Sequence, residues 1–444
     1  MFIQGMKNKV LREGITFKKM LKFLEESQHY SKEELKNYQD EHLNKIMKHC
    51  YENVPYYKEI FNKNKLMPSD IRTQKDLWKL PILTKNDIKQ NFNKLKATNM
   101  PKWLLNEGHT SGTTGTPAHF YRDLNSINFE NATVWRQWEW AGIDIGDRIV
   151  VCRGNEIKVN EKEHIFWEKN NIQKQLFLSS FYLSDENMKY YIEEFKRYDG
   201  KALQAYPSTA YVIAKYLEKI NDRIKLKAVF TSSEPIYDFQ RKLIEDRFEC
   251  EIWDFYGLAE RVVSASECKT HEGLHINEEY GITEILDEKE KEANKGFLVG
   301  STLHNYAMPL IRYVTNDYTK ISCEKCSCGI EHRMISPIET KKEDMVITKE
   351  GRYISPSIIT HAFKPLTHVA KSQVIQHDFD DFEIKIIPEE GFNNTEIDIL
   401  MKGLKERFGQ ESSIDINIVE DIPRTKNGKF RWVISKTSKG KSWK

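Results

Sequence analysis

Neither sign of charge dominates this 444-residue chain: 68 Lys and Arg stand against 66 Asp and Glu, a formal net charge of +2. No global field therefore recommends a nucleic acid as partner. No run approaches the roughly 20 apolar residues that span a bilayer. The stretch from Met1 to Thr16 alternates charge with apolar residues and has no signal-peptide apolar core. A cytoplasmic protein with no membrane and no nucleic-acid partner is expected. Cysteine is scarce, seven in all, and in that compartment it does not build a disulfide framework. Repeats and low-complexity linkers are missing, and so are the Walker spacing and the G-x-G-x-x-G turn of dinucleotide folds. What remains is an ordinary globular composition, 39% hydrophobic and 30% charged. The length exceeds the size at which one core keeps growing, so two or more domains are expected.

Periodicity orders the chain. From Phe17 to Ile60 apolar residues such as Leu43, Ile46, Met47 and Cys50 recur at helical spacing, and Val54–Pro55 ends the regular part. Further on, short apolar strands at Arg148–Cys152, Lys227–Thr231 and Cys250–Phe255 alternate with helical segments at Asp185–Tyr198, Ser208–Ile220 and Asp238–Phe248. Strand, crossover helix and strand at this spacing predict parallel sheet covered by helices. From Ile276 to Lys320 the pattern becomes strand-rich. After Met345 a new alternation begins: a helix near Pro356–Phe363, a strand at Phe382–Ile387, a helix over Asn394–Phe408 and a strand at Ile414–Glu420. That is about a hundred residues of α+β pattern, the size of one domain. The chain reads as α/β, a large domain over 1–338 with helix-covered β-sheets and a small α+β domain over 339–444, divided near Glu339.

The densest chemical signal is the run Thr110, Ser111, Gly112, Thr113, Thr114, Gly115, Thr116, Pro117. Seven of its eight residues carry a hydroxyl or lack a Cβ. Glycine lets backbone N–H groups converge on an anion, and hydroxyls donate to phosphate oxygens. A Ser/Thr/Gly run is as often a plain flexible loop, but this one is compact and sits well inside a folded-looking chain.

The run resembles the signature loop of adenylate-forming enzymes, the superfamily of acyl-CoA synthetases, luciferases and peptide-synthetase adenylation domains. Three further segments match the superfamily's pattern in order. Tyr256, Gly257, Leu258, Ala259 and Glu260 look like Y-G-x-T-E. Arg312 to Asp317 looks like the segment with the ribose-binding aspartate, and Pro423 to Lys429 looks like P-R-T-x-x-G-K with the catalytic lysine. Asn53–Tyr57 and Leu80–Lys85 are similar to the phenylacetate–CoA ligase branch, which includes homologues found with capsular polysaccharide genes.

The resemblance implies activation of a small carboxylic acid with ATP as its acyl-adenylate, with release of pyrophosphate. CoA would then accept the acyl group, or else an amine, a sugar or a carrier protein. A third possibility is a catalytically inactive AMP-binding scaffold. It also implies roles for residues. The loop 110–117 cradles pyrophosphate, with Ser111, Thr113 and Thr114 as the working hydroxyls. Glu260 holds Mg²⁺, a hard cation suited to carboxylate. Tyr256 stacks on adenine beside the turn Ser233, Glu234, Pro235, and Asp317 accepts bonds from the ribose hydroxyls. Lys429 swings in with the mobile small domain and bridges carboxylate and α-phosphate. Taken one at a time, Glu260 and Asp317 read as solvated acids, Tyr256 as a core tyrosine and Lys429 as a surface lysine. Two departures stand out. Ala259 replaces a threonine that commonly contacts the α-phosphate, and Thr340 to Asp344 replaces the usual G-R-x-D-D hinge, leaving Lys341 as a point charge without a guanidinium fork. The oligomeric state is open, a homodimer included.

Four of the seven cysteines are grouped. Cys323, Cys326 and Cys328 fall together, and Cys268 precedes His271 and His275. Zinc takes four ligands, usually as two pairs from separate segments. Cys326 and Cys328 supply one pair and Cys268 with His275 the other, with His271 or Cys323 as substitute. The phenylacetate–CoA ligase branch shows a comparable element. Such a metal is structural. The competing reading is reduced surface thiols.

Overall fold

The computed structural model describes residues 14–109, 118–287, 289–322, 325–338, 346–349, 353–354, 356–422 and 432–437. The chain packs into two compact units. One comprises Met1–His109, Ala118–Asp144 and Trp253–Thr340, and the other Thr110–Pro117, Ile145–Ile252 and Lys341–Lys444. Among the described residues no helix is long and apolar enough to cross a membrane.

The first unit opens with three helices, Ile15–Ser27, Lys32–Asn53 and Pro55–Lys63. The amphipathic text over Phe17–Ile60 is thus broken once more than its periodicity shows. Ser31 makes the break: its hydroxyl accepts from Glu34 N at 3.3 Å while its own N–H donates to the Glu34 carboxylate at 2.8 Å, closing a capping box. Val54 caps the second helix, and Pro55, which has no N–H to lose, starts the third. Leu35, Leu43, Ile46, Met47 and Cys50 line the buried face.

An antiparallel sheet runs through the strands Gly281–Leu286, Lys295–Thr302, Tyr313–Ser322, Met334–Ile335, Leu274–Ile276, Ser264–Glu267 and Glu251–Gly257, each pairing with the next. The segment Leu80–Lys85 lies along the third of these. Leu83 N donates to Arg312 O at 2.9 Å and Leu83 O accepts from Val314 N at 3.0 Å. Arg312 itself is buried, forked onto the Glu284 carboxylate and bonded to Leu80 O at 2.7 Å. It holds the strand rather than a ligand.

The second unit has the expected parallel sheet. Strands Ala228–Ser232, Ala202–Ala205, Ile149–Cys152 and Gln175–Leu178 pair in parallel, and Trp167–Asn170 closes the edge antiparallel. Val150, Cys152, Leu176, Leu178, Leu203, Ala205 and Val229 of these strands join one buried apolar cluster, as a helix-covered parallel sheet requires. Helices Asp185–Tyr198, Pro207–Lys219 and Asp238–Phe248 supply the crossovers. The same unit holds the C-terminal α+β pattern: a four-stranded sheet in the order Ser413–Ile418, Asp381–Pro388, Val369–Asp378, Val433–Ser435, with helices Pro356–Phe363 and Asn394–Phe408. Tyr206 belongs to the hydrophobic cluster of these C-terminal elements, and Phe181 packs against it. The expected division near Glu339 lies outside the described residues.

Candidate active site

Two strands of the first unit bring the acids together with tyrosines. Glu251–Gly257 runs out through Tyr256 into the turn Leu258–Ala259–Glu260, and Tyr313–Ser322 carries Tyr313 and Asp317. Tyr256 Oη donates to Asp317 Oδ2 at 2.7 Å, and Tyr313 Oη donates to Glu260 Oε1 at 2.7 Å. Each carboxylate is thus aimed by a phenol from the other's strand or turn. Thr315 orients the Asp317 backbone, its Oγ1 accepting from Asp317 N at 3.1 Å and donating to Leu298 O at 3.0 Å. Leu258, Ala259 and Tyr256 pack on the main apolar cluster of this unit, to which Tyr313 belongs.

That apolar setting governs the electrostatics. Burial raises Asp317 to about 6; the Tyr256 hydroxyl opposes the rise and the Glu260 charge adds to it. Burial and Asp317 likewise push the Tyr256 phenol well above its ordinary value, so it stays a donor. Neither tyrosine bond was foreseen from sequence, although Tyr313 lies inside the recognised Arg312–Asp317 segment.

Arg122 and Arg261 complete the surroundings. Arg122 ends the strand His119–Arg122, which pairs antiparallel with Asn106–His109 so that His109 lies opposite His119. One of its Nη groups donates to Ala259 O. Room for that guanidinium comes from Gly108, where a Cβ would lie 2.6 Å from Arg122 Cζ. Arg261 follows Glu260 at a backbone φ of +57° and lies 3.7 Å from the Glu130 carboxylate. A sequence signal existed: Arg261 is the residue after the recognised motif. Gly257 is also tightly placed, with Phe255 Cε1 2.7 Å from the position of a Cβ.

The turn Ser233, Glu234, Pro235 belongs to the second unit. Ser233 has a φ of +72°, unusual for a residue with a side chain. Arg153 Nη2 spans the turn, donating to Ser232 Oγ at 2.8 Å and Ser233 Oγ at 3.2 Å, and Glu234 accepts from Ser208 N at 3.1 Å. Arg153 carried no sequence signal. Thr110, Ser111, Gly112, Thr113, Thr114, Gly115, Thr116, Lys341 and Lys429 lie outside the described residues.

A second cluster sits in the first unit. The ligand atoms of Cys268, His275, Cys326 and Cys328 all lie within 4.8 Å of one another. Cys268 Sγ is 3.5 Å from Cys326 Sγ, and Cys328 Sγ is 3.3 Å from His275 Nε2. Separations of this size suit four ligands around one tetrahedral ion with bonds of about 2.0–2.3 Å. His275 Nδ1 points at His332 O, 3.3 Å away, which fixes the ring with Nε2 toward the thiols. His271 turns elsewhere: it lies 3.3 Å from the Glu267 carboxylate and edge-on to Trp253. The donor set and its geometry fit a structural zinc. Cys323 is not among the described residues.

Comparison with known proteins agrees with this architecture. Residues 346–436 match the CapK C-terminal domain. Protein CapK of Staphylococcus aureus is 27% identical over 89% of this chain and 88% of its own length. Phenylacetate-coenzyme A ligase of Thermus thermophilus is 23% identical over 91% and 97%. Among solved structures, a 2-hydroxyisobutyryl-CoA ligase in its postadenylation state superposes with a TM-score of 0.60 at 17% identity, covering 93% of this chain and 92% of that one. With relatives matching almost end to end, and with the acids of two motifs each held by a tyrosine of the other's segment, this chain is similar to the adenylate-forming enzymes of the phenylacetate–CoA ligase-like branch and to CapK.

Proposed function

We propose that the chain is an ATP-dependent acid ligase that forms an acyl-adenylate and then passes the acyl group to CoA. The observation that carries the reading is the pairing of Glu260 and Asp317, each held by a tyrosine hydroxyl at 2.7 Å in a largely apolar surround. In the first step a substrate carboxylate oxygen attacks the α-phosphorus of ATP. The bond to the bridging oxygen breaks, and pyrophosphate leaves with the electron pair. In the second, the thiol sulfur of CoA attacks the acyl carbon, losing its proton, and AMP departs. Both anions of the first step must be brought together, so positive charge and fixed donors lower its barrier.

Within this reading Glu260 is the ligand for Mg²⁺, which neutralises phosphate charge when bound. Asp317 accepts from the ribose hydroxyls, with Tyr256 holding its other oxygen. Residues 110–117 hold the departing pyrophosphate, Ser233–Pro235 flank the adenine, and residues 339–444 act as the small mobile domain that brings Lys429 to the reacting oxygens. Lys341 serves the hinge. The four-ligand cluster holds zinc, which pins the segments around Cys268–His275 and Cys326–Cys328 and does no chemistry. As a user of ATP and CoA the enzyme works in the cytoplasm.

The acid is a small carboxylic acid. The second reading keeps the same first step and replaces CoA as acceptor by an amine, a sugar or a carrier protein. Pyrophosphate exchange with Mg·ATP across a panel of carboxylic acids tests the first half-reaction, and product analysis with and without CoA tests the second. Exchange with at least one acid, and CoA-dependent thioester, is expected. Absence of exchange with every acid at intact AMP binding would leave an inactive scaffold. A product formed without CoA would move the assignment to the second acceptor.

A further inference from the structure

Two arginines at the Glu260 turn carry buried donors that the fold does not use. Arg122 Nε and Arg261 Nη1 are both shielded from solvent and have no hydrogen-bond partner among the described residues. Other atoms of the same two groups are engaged: an Arg122 Nη on Ala259 O, and Arg261 Nε near Glu130. The open donors are therefore not loose side chains awaiting a position. Their guanidinium groups are already anchored, and Tyr280 spends its hydroxyl on Glu130, not on filling them. A buried donor without a partner costs free energy, and a guanidinium adds a desolvated charge. Burial and the neighbouring Arg261 pull Arg122 down to about 10, while Glu130, Tyr280 and Glu260 oppose the shift. A ligand oxyanion relieves both penalties at once. The fork of a guanidinium suits carboxylate and phosphate oxygens above other acceptors.

We propose that Arg122 and Arg261 bind the phosphoryl group that ends as the α-phosphate of AMP, supplying from two guanidinium donors what Ala259 cannot supply from a side-chain hydroxyl. The inference rests on the ligase reading and deepens it. Position favours phosphoryl over the carboxylate of the acid. Arg122 follows the hydroxyl-rich run by five residues in the chain, and its anchor is the carbonyl immediately before Glu260, the residue assigned to the metal that rides on phosphate. Gly108 is part of the arrangement, since any side chain there meets the Arg122 guanidinium.

The test compares AMP with adenosine, which differ only in the phosphoryl group, by calorimetric titration of the full-length protein. Arg122→Gln and Arg261→Gln are each expected to lower AMP affinity about tenfold or more, as loss of bonds to a charged group implies, at unchanged adenosine affinity. Adenosine binding doubles as proof that the variant is folded. Where a Gln variant loses adenosine as well, its Lys counterpart keeps the charge without the fork and takes its place. An AMP preference undiminished in both variants overturns the proposal. So does loss of affinity for the acid with AMP preference intact, which would hand the pair to the carboxylate. If even the Lys variants fail to bind adenosine, the arginines hold the fold and not the ligand, and the proposal falls. A wild-type protein that binds neither AMP nor adenosine fails at the earlier step, the ligase reading itself.

Discussion

A carboxylate that must accept hydrogen bonds at neutral pH works best ionised, yet burial holds Asp317 near 6. Its ordinary value in an unfolded chain is about 3.9. Between those values the folded protein keeps a proton that the unfolded chain releases, so stability falls as pH rises through this window and stays lower above it. Asp317→Asn removes that burden while leaving an oxygen for the Tyr256 hydroxyl. The variant is expected to melt higher than wild type at pH 7.5 and no higher at pH 4, and thermal melts at both values check the sign. In the same variant AMP affinity should drop by about 1.5–3 kcal/mol, the worth of bonds to a charged acceptor. In wild type, nucleotide affinity should weaken as pH falls below about 6, when Asp317 takes its proton. Lys429 belongs to the same scale. If Lys429 plays the proposed role, Lys429→Ala should nearly abolish adenylate formation and leave ATP binding and melting temperature close to wild type, because a charge used mainly at the transition state lowers rate more than affinity. Single-turnover acyl-adenylate formation at near-normal rate would remove it from the mechanism.

Among elements, the helix Ile15–Ser27 is tied down by a polar core that hydrophobic patterning does not reveal. Arg136, on the helix Leu124–Trp140, pairs with Glu279 at 2.8 Å with both side chains essentially sealed from water. Arg136 also donates to Leu24 O at 3.2 Å and Asn277 Oδ1 at 2.8 Å, while Ser27 donates to Glu279 at 2.6 Å. Burial alone would raise Glu279; Arg136, His332 and Ser27 together hold it well below the ordinary carboxylate range. Removing one partner strands the other, so Arg136→Met should cost about 3–5 kcal/mol, and adding Glu279→Gln should recover much of it. Chemical denaturation of the single and double variants measures both numbers. On the proposed reading, a zinc ion would join the segments around Cys268–His275 and Cys326–Cys328. Protein purified without chelator should carry about one zinc per chain, and Cys326→Ser should lower both metal content and melting temperature, since structural zinc binding is coupled to folding. Elemental analysis showing substoichiometric metal, with the thiols freely titratable in the native protein, would return these residues to plain reduced cysteines.

At the scale of the molecule, the C-terminal elements do not form their core alone. Tyr206 is buried in their cluster, Phe181 packs beside it, and the His361 ring occupies the space a Cβ on Gly154 would need, 2.7 Å from its Nε2. Arg407 adds to the same contact, its guanidinium 5.1 Å above the Phe181 ring. Removal of residues 341–444 should therefore expose apolar surface on the remainder of the second unit, lower its melting temperature and raise binding of a hydrophobic dye. A truncated chain that melts like the full-length protein, without added dye binding, would make the C-terminal elements energetically independent.

Much of this was legible in the chain because its signals are local. The helices Asp185–Tyr198, Asp238–Phe248, Pro356–Phe363 and Asn394–Phe408 have the bounds that their apolar spacing and capping residues predict. Other elements were lost where period and composition carry no mark: the strands Gln175–Leu178 and Ala202–Ala205 are too short to separate from loop by alternation, and the Ser31 break hides inside a continuous helical period. Motif order was enough to nominate Tyr256, Glu260 and Asp317, since each lies in a short, recognisable string. What no string contains is who faces whom. That Tyr313 serves Glu260 while Tyr256 serves Asp317, that His275 turns to the thiols and His271 to Glu267, and that Arg312 holds a strand while Arg122 and Arg261 keep donors open, all depend on residues brought together from distant parts of the chain. Sequence determines local period, caps and chemistry; partnership between side chains is set by strand register and by the space a glycine leaves, and these exist only once the chain has folded.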